Sequence, residues 1–379
     1  MRWHHAQIWP SVERVPIAAG LARNVAARKV AARNVVEWNA TVRLAHFSDL
    51  HIASDLRLSP SDLARKRLLG FASWRMRRRY IHRLDVLSML ADDVRRQNPD
   101  HVVITGDITN ISLQEEFTLA ARWLADFGEP QWVSVIPGNH DAYVHIPWEQ
   151  SWAHWEAYMC SDPEVEPDPA SSSSPEAPIA TKAASRGCFP YLRRRQGLAI
   201  IGLSTAVVTG PGMALGRLGA EQLARARGLL ERTREEGAFR VVLLHHPPVA
   251  ASGHRYKRLL DADAFLAMLA ETGAELVLHG HDHTHRLRQL PSRYGNVAAI
   301  GTASASALPA NGHPAAQYHL YRITGSDAGW SVEMQVRGLD AAAGRFVNVS
   351  QRTLIVERRH AVTEKTPQSF PRASDRVEA

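Results

Sequence analysis

Five short clusters of Asp, His and Asn punctuate the chain: Asp49-Leu50-His51, Gly106-Asp107, Gly138-Asn139-His140-Asp141, His245-His246 and Gly280-His281-Asp282-His283. None contains cysteine. Carboxylate, imidazole and amide oxygen without thiolate suit a hard or borderline divalent cation. Asp49, His51, Asp107, Asn139, His245, His281 and His283 are too many donors for one ion, and they divide between two with one carboxylate shared. Such a pair of ions clamps the attacking and leaving oxygens of an in-line displacement at phosphorus. Asp49 and His51 are separated by one residue, as are His281 and His283, so on extended backbone the members of each pair face the same way. Of His245 and His246, His245 stands at the strand end, two residues before Pro247, and is the expected ligand. His279, Asp282 and His285 read as supporting or exposed groups, and His46, His101, His145, His154 and His254 as ordinary core or surface histidines.

Each cluster follows a short apolar run: "RLAHF", "HVVIT", "WVSVIP", "RVVLL" and "AELVL". Loops at the carboxyl ends of strands in an α/β sheet are where sites form, so five such loops can converge. Helical patterns separate the runs over 82–97, 113–127, 148–159, 219–234 and 261–271. Strand-rich sequence follows in "GNVAAIGTAS", "AAQYHLYRIT" and "WSVEMQVRG". The alternation predicts an α/β fold with sheets covered by helices.

The chain has 379 residues, enough for a large core without covalent staples. Its two cysteines, Cys160 and Cys188, flank a Ser/Pro-rich stretch. They could close that loop as a disulfide, but read better as two thiols in a reducing compartment. No apolar run is long enough to span a membrane, and no secretory signal is legible, which leads to the expectation of a cytoplasmic protein. The net charge is +7, but residues 1–41 hold +4 of it and residues 352–379 +2. The central 310 residues are thus nearly neutral, which argues against nucleic acid as the partner.

Two segments interrupt the pattern. Residues 161–186 contain five prolines and a four-serine run and read as a loop. Residues 64–84 contain eight Arg or Lys and no acid, interleaved with Phe71, Trp74, Met76 and Tyr80. That stretch is open to four readings: a solvated helical face, a lid over the site, an interfacial helix on an anionic membrane, or a nucleic-acid contact. Residues 1–41 read as an extension outside the folded domain, with Val42 a plausible true start. Residues 42–351 form the domain and 352–379 a tail.

The five motifs, in this order and each after a strand, resemble those of the calcineurin-like metallophosphoesterases over about residues 43–310. The spacing is most similar to the class III cyclic-nucleotide phosphodiesterase branch. The resemblance implies a four-layer α-β-β-α sandwich, two mixed β-sheets flanked by helices. It also implies that Asp49, His51 and His283 hold one metal, that Asn139, His245 and His281 hold a second, and that Asp107 bridges both with a water or hydroxide. His140 would assist the leaving group. Mn, Fe, Zn or Co would each suit the donors. Phosphatase relatives place an aspartate three residues after the bridging one to orient the histidine; here the residue is Asn110. That departure favours a small phosphodiester substrate. The alternatives are a pyrophosphatase of a nucleotide-diphospho-lipid precursor, a nuclease, or a scaffold module that retains the metal fold.

Overall fold

The computed structural model describes residues 41–52, 56, 58, 65–163, 188–250, 255–309, 312, 314–326 and 329–357. The expected N-terminal extension, nearly all of the Ser/Pro-rich loop and the segment after 357 lie outside these residues. Two six-stranded sheets form the framework. The first holds β1 (Thr41–Phe47), β2 (His101–Ile104) and β3 (Val133–Val135), then β10 (Gln317–Ser326), β11 (Gly329–Asp340) and β12 (Arg345–Glu357), in the order β12-β11-β10-β1-β2-β3. The second orders β4 (Tyr191–Arg195), β5 (Leu198–Gly202), β6 (Phe239–Leu243), β7 (Leu276–His279), β9 (Gly295–Gly301) and β8 (Arg286–Ser292). Both are mixed: β1-β2-β3 and β5-β6-β7-β9 run parallel, and the flanking pairs are antiparallel.

Side-chain alternation along the second sheet shows the layering. Ile200, Val241, Leu243, Leu276, Leu278 and Ile300 join the core shared with the first sheet. Their neighbours Ile201, Val242, Val277 and Ala299 join a separate core with the helix residues Ala226, Leu230, Phe265 and Met268. Those helix residues belong to α4 (Ala220–Glu235) and α5 (Ala262–Thr272). The first sheet is covered by α2 (Leu84–Gln97) and α3 (Gln114–Phe127), which bury Leu87, Leu90, Phe117 and Leu124. The result is the expected sandwich of two mixed sheets between helical layers. The end of α2 is set by Asn98 in the left-handed conformation, just before Pro99.

Several expectations need correction. The stretch 148–159 is not α-helical but forms 3₁₀ turns at Trp148–Gln150 and Trp152–Tyr158. Ser151 Oγ donates to the Pro147 and Trp148 carbonyls, and Trp152 Nε1 donates to the Asp141 carbonyl at 2.8 Å. These local bonds replace the regular helical ladder. Strand β12 runs to Glu357, past the boundary drawn after residue 351. β4 ties the sheets together: Tyr191 Oη donates to the Val135 carbonyl at 3.0 Å, and Arg193 donates to the Val133, Ala157 and Cys160 carbonyls. Cys160 and Cys188 are both free thiols. No helix among the described residues is long and apolar enough to cross a membrane.

Candidate metal centre

The loops after β1, β2, β3, β6 and β7 meet at one place. The first two are zipped together by backbone bonds from Asp49 N to the Gly106 carbonyl (2.9 Å), His51 N to the Asp107 carbonyl (3.0 Å) and Ile52 N to the Ile108 carbonyl (2.7 Å). Asp141 fastens the third loop to the second by accepting from the amides of Gly138 (2.8 Å), Ile108 (3.0 Å) and Thr109 (2.8 Å). The approach is close enough to require glycine. A Cβ on Gly138 would collide with the Asp107 carboxylate and lie 2.5 Å from Asp107 N, and one on Gly280 would lie 2.6 Å from Asp49 Oδ2.

The structure brings all seven expected donors together, though not through extended backbone. Asp49, His51, Asp107, His281 and His283 have φ of 58°, 47°, 53°, 73° and 52°. Both members of each spaced pair therefore sit in the left-handed region, where strand alternation does not apply. Left-handed non-glycine residues are costly and cluster at functional sites. Donor atoms of Asp49, His51 and Asp107 lie within 4.8 Å of one another, and so do those of Asp107, His245 and His281. Asp107 is thus common to two poles. Pole one adds His283, whose Nε2 is 3.4 Å from His51 Nε2 and 3.1 Å from Asp49 Oδ1. Pole two adds Asn139, whose Oδ1 is 2.9 Å from His281 Nδ1 and 3.2 Å from His245 Nε2.

The outward nitrogens fix the tautomers. His51 Nδ1 bonds the Thr109 carbonyl (3.2 Å), His245 Nδ1 the Thr105 carbonyl (2.7 Å) and His281 Nε2 the Lys257 carbonyl (3.0 Å). Only an N–H satisfies a carbonyl, so in each neutral ring the remaining nitrogen turns its lone pair inward, as metal-ligating histidines do. Burial, with neighbouring imidazoles, holds His51 and His281 well below the ordinary histidine range. At His245 burial also acts downward, but the Asp107 charge and hydrogen bond outweigh it and raise the group to about 9. Burial of Asp107 is likewise outweighed by His245, His140 and His51, which keep its carboxyl well below the usual range. Asp49 Oδ1 is buried without a hydrogen bond, although an imidazole nitrogen faces it. A cation between two such acceptors resolves that contact, and the donor chemistry fits divalent metal at both poles.

His140 stands beside the poles. Its backbone N–H donates to Asp107 Oδ1 at 2.7 Å, and its Nδ1–H donates to the Asn110 carbonyl in a very short bond. Asn110 therefore orients His140 through its main chain. Glu116, fully buried in the first turn of α3, accepts from the amides of Asn110 (2.7 Å), Ile111 (3.0 Å) and Leu113 (2.9 Å) and so fixes that carbonyl. The His140 ring stacks on Tyr143 with centroids 5.6 Å apart. His246 is not among the donors: its Nδ1 accepts from Thr205 Oγ1 (2.7 Å) and its Nε2 donates to the Ala214 carbonyl (3.2 Å).

Two residues from the basic segment also reach the site. This segment forms α1 (Arg65–Ser73), a π-helical turn (Trp74–Arg78) and a short helical end at Arg79–Ile81. Trp74 is buried with Leu56, Ile111 and Leu113, and Lys66 Nζ lies 4.4 Å over the Tyr143 ring. The wide turn sends the Arg78 guanidinium to the His140 ring, with Nη1 3.1 Å from Nδ1 and 3.3 Å from Nε2. π turns recur at functional sites. Burial holds His140 down to about 4 against the opposing charge of Asp107, and Arg78 adds to the depression. His82, read from sequence only as a helix start, is buried against His51 with ring centroids 4.4 Å apart. A run of mixed Arg and aromatic residues carries no sign of which members turn inward, so sequence patterning missed both.

Comparison with known proteins gives the following. The model of the calcineurin-like phosphoesterase family matches residues 42–285. Among curated proteins no sequence matches significantly. The structure is similar to that of purple acid phosphatase PPD1 from yellow lupin (Lupinus luteus) seeds, with a TM-score of 0.50 and 12% identity over 84% of this chain. The chain spans 54% of the lupin protein's length. A dimetal phosphatase from Danio rerio matches with a TM-score of 0.44 and 14% identity, over 83% of this chain and 99% of its own.

Proposed function

Because the chain belongs to the calcineurin-like phosphoesterase family, whose members are metal-dependent hydrolases, we propose that it cleaves a small phosphodiester at the centre described above. Asp49, His51 and His283 would hold one divalent ion, Asn139, His245 and His281 a second, and Asp107 both. Two such ions supply Lewis-acid charge to the phosphoryl oxygens and an activated water. The protein's own part is positional. Glu116 holds the Asn110 carbonyl, that carbonyl holds His140 Nδ1–H, and Nε2 is left directed at the leaving oxygen. A neutral His140 must take up a proton before it can donate one. Arg78, engaged by an anionic substrate, would release the ring to do so.

The observation that carries the diester reading is the hinge of His140 on a main-chain carbonyl rather than a carboxylate. Position 110 offers that ring no carboxylate, which is the departure from the phosphatase pattern already legible in the sequence. Of the readings of the basic segment, the Arg78–His140 contact supports the lid. The decisive experiment is hydrolysis by the full chain, with added Mn²⁺, of cyclic AMP, a bis-aryl phosphodiester, an aryl phosphomonoester, a UDP-linked diacyl-sugar and single-stranded DNA. Diester turnover that disappears in Asp107→Ala and His140→Ala is expected. Faster turnover of the monoester than of every diester would overturn the reading. Arg78→Gln should raise KM for the preferred substrate about tenfold or more, as loss of a charged hydrogen bond does.

A second reading has its own observation. The outer face of the same segment exposes Leu68, Leu69, Met76 and Tyr80 together with Arg75 and Arg77. That mixture suits docking on an anionic membrane surface. Sedimentation with phosphatidylserine vesicles, reduced in Arg75→Gln/Arg77→Gln, would support it; no sedimentation at low salt would remove it.

A further inference from the structure

The backbone around His82 is pinned more firmly than a surface-lid residue requires. His82 forms a bridge with Ala307, Arg83 N donates to the Ser306 carbonyl at 2.9 Å, and Leu308 N donates to the Ile81 carbonyl at 2.8 Å. The strap after β9 is itself bonded to the first metal loop, through Ala305 N to the Ser48 carbonyl (2.8 Å) and Ser304 Oγ to the Asp49 carbonyl (2.7 Å). His82 is thus held to the same frame that positions Asp49.

The imidazole is fixed as well. Its Nδ1 lies 3.0 Å from Ser306 Oγ and 3.3 Å from Ser304 Oγ. Ser304 spends its single proton on the Asp49 carbonyl, so toward His82 it can only accept. A proton on Nδ1 satisfies both serines and leaves the lone pair on Nε2. Among the described residues Nε2 has no hydrogen-bond partner. One ring nitrogen from each of His51, His82 and His283 falls within 4.8 Å of the others. The rings of His82 and His51 are 4.4 Å apart, and those of His82 and His283 are 5.6 Å apart. One ring nitrogen anchored by hydrogen bonds and the other bare, beside two expected donors, are the marks of a histidine ligand.

We propose that His82 is a further ligand of the ion held by Asp49, His51 and His283, delivered by the basic segment and oriented by Ser306. The inference rests on the two-metal reading and adds a third imidazole at pole one. Imidazole-rich sites lean toward Zn²⁺, Co²⁺ or Fe, and carboxylate-rich ones toward Mn²⁺. The two poles should therefore differ in metal preference, and His82 should set part of that difference.

The test uses the full chain, stripped with chelator and reloaded with Co²⁺. Metal content, titrated affinities and hyperfine-shifted imidazole N–H signals are measured for wild type, His82→Gln, His82→Ala and Ser306→Ala. Wild type should hold two ions. Both His82 variants should keep one at wild-type affinity, bind the other about 10–100-fold more weakly, and lose one shifted N–H signal. Competitive loading should move toward Mn²⁺. Ser306→Ala keeps the ligand and should weaken the same ion by a smaller factor, which carries the test if a His82 variant melts early. Two ions with unchanged affinities and signals in both His82 variants would overturn the inference alone. A wild-type chain that binds no metal would overturn the two-metal reading and this inference with it.

Discussion

An extra histidine stands at each pole of the centre, and the two are held in opposite ways. His246 follows a donor directly in sequence, is completely buried, and packs on His281 with ring centroids 4.5 Å apart. Both its nitrogens are consumed, one by Thr205 and one by Ala214. His82 is 31 residues from the first cluster, yet it has one nitrogen anchored and one bare. Closeness to a cation site therefore does not make a ligand. The deciding feature is whether the surrounding hydrogen bonds leave a lone pair directed inward.

The largest expected effect removes what the poles share. Asp107→Asn keeps shape and loses charge, so both ions should weaken and hydrolysis should fall by on the order of 10³-fold or more. Elemental analysis beside kinetics checks this. Loss of one ion only would assign Asp107 to a single pole. His140→Ala comes next and should leave both poles alone: metal content stays at wild type while turnover falls about 10²–10⁴-fold. A His140 variant that loses metal would place the residue among the ligands instead.

What could be read from sequence divides along the same physical line. Asp49, His51, Asp107, Asn139, His140, His245, His281 and His283 were legible because each follows an apolar run that must be a buried strand. Strands β4, β8 and β12 left no mark in the sequence, and each is an edge of its sheet. Such edges are blunted with charge, as in "YLRRR" and "RLRQLPS", and lose the alternation that reveals a strand. Left-handed backbone rather than strand pleat turns Asp49 and His51 inward, which residue spacing does not reveal. His82 and Arg78 could not be found by pattern, because a π turn among arginines decides which side chains enter the site.

Away from both poles, the first sheet buries histidines that are not among the grouped donors. Burial depresses His46 to about 3 and keeps His101 and His319 well below the ordinary value of 6.5. The native state leaves them neutral, whereas the unfolded chain protonates them below pH 6.5. Their contribution is therefore complete above that pH and is lost as pH falls toward the native values. Each histidine can contribute a slope of about 1.4 kcal/mol per pH unit. Denaturant unfolding of metal-free protein should show stability falling from pH 6.5 to 5, with a flatter profile in His101→Gln. Equal stability at pH 7 and pH 5 would contradict this assignment.

The smallest effect sharpens the opening contrast. His246→Ala removes a ring whose nitrogens bond Thr205 and Ala214, so it should destabilise the fold by about 1–3 kcal/mol. It should leave both metal affinities within about twofold of wild type, because its one ring lone pair is engaged by Thr205 Oγ1. Thermal melting of the metal-free protein and Co²⁺ titration read the two quantities separately. The paired outcome is the informative one. His82 variants should move metal affinity whatever they do to the melting of the metal-free chain, and His246→Ala should move the melting alone. If His246→Ala weakened an ion as strongly as the His82 variants, proximity rather than lone-pair direction would be what matters at these poles.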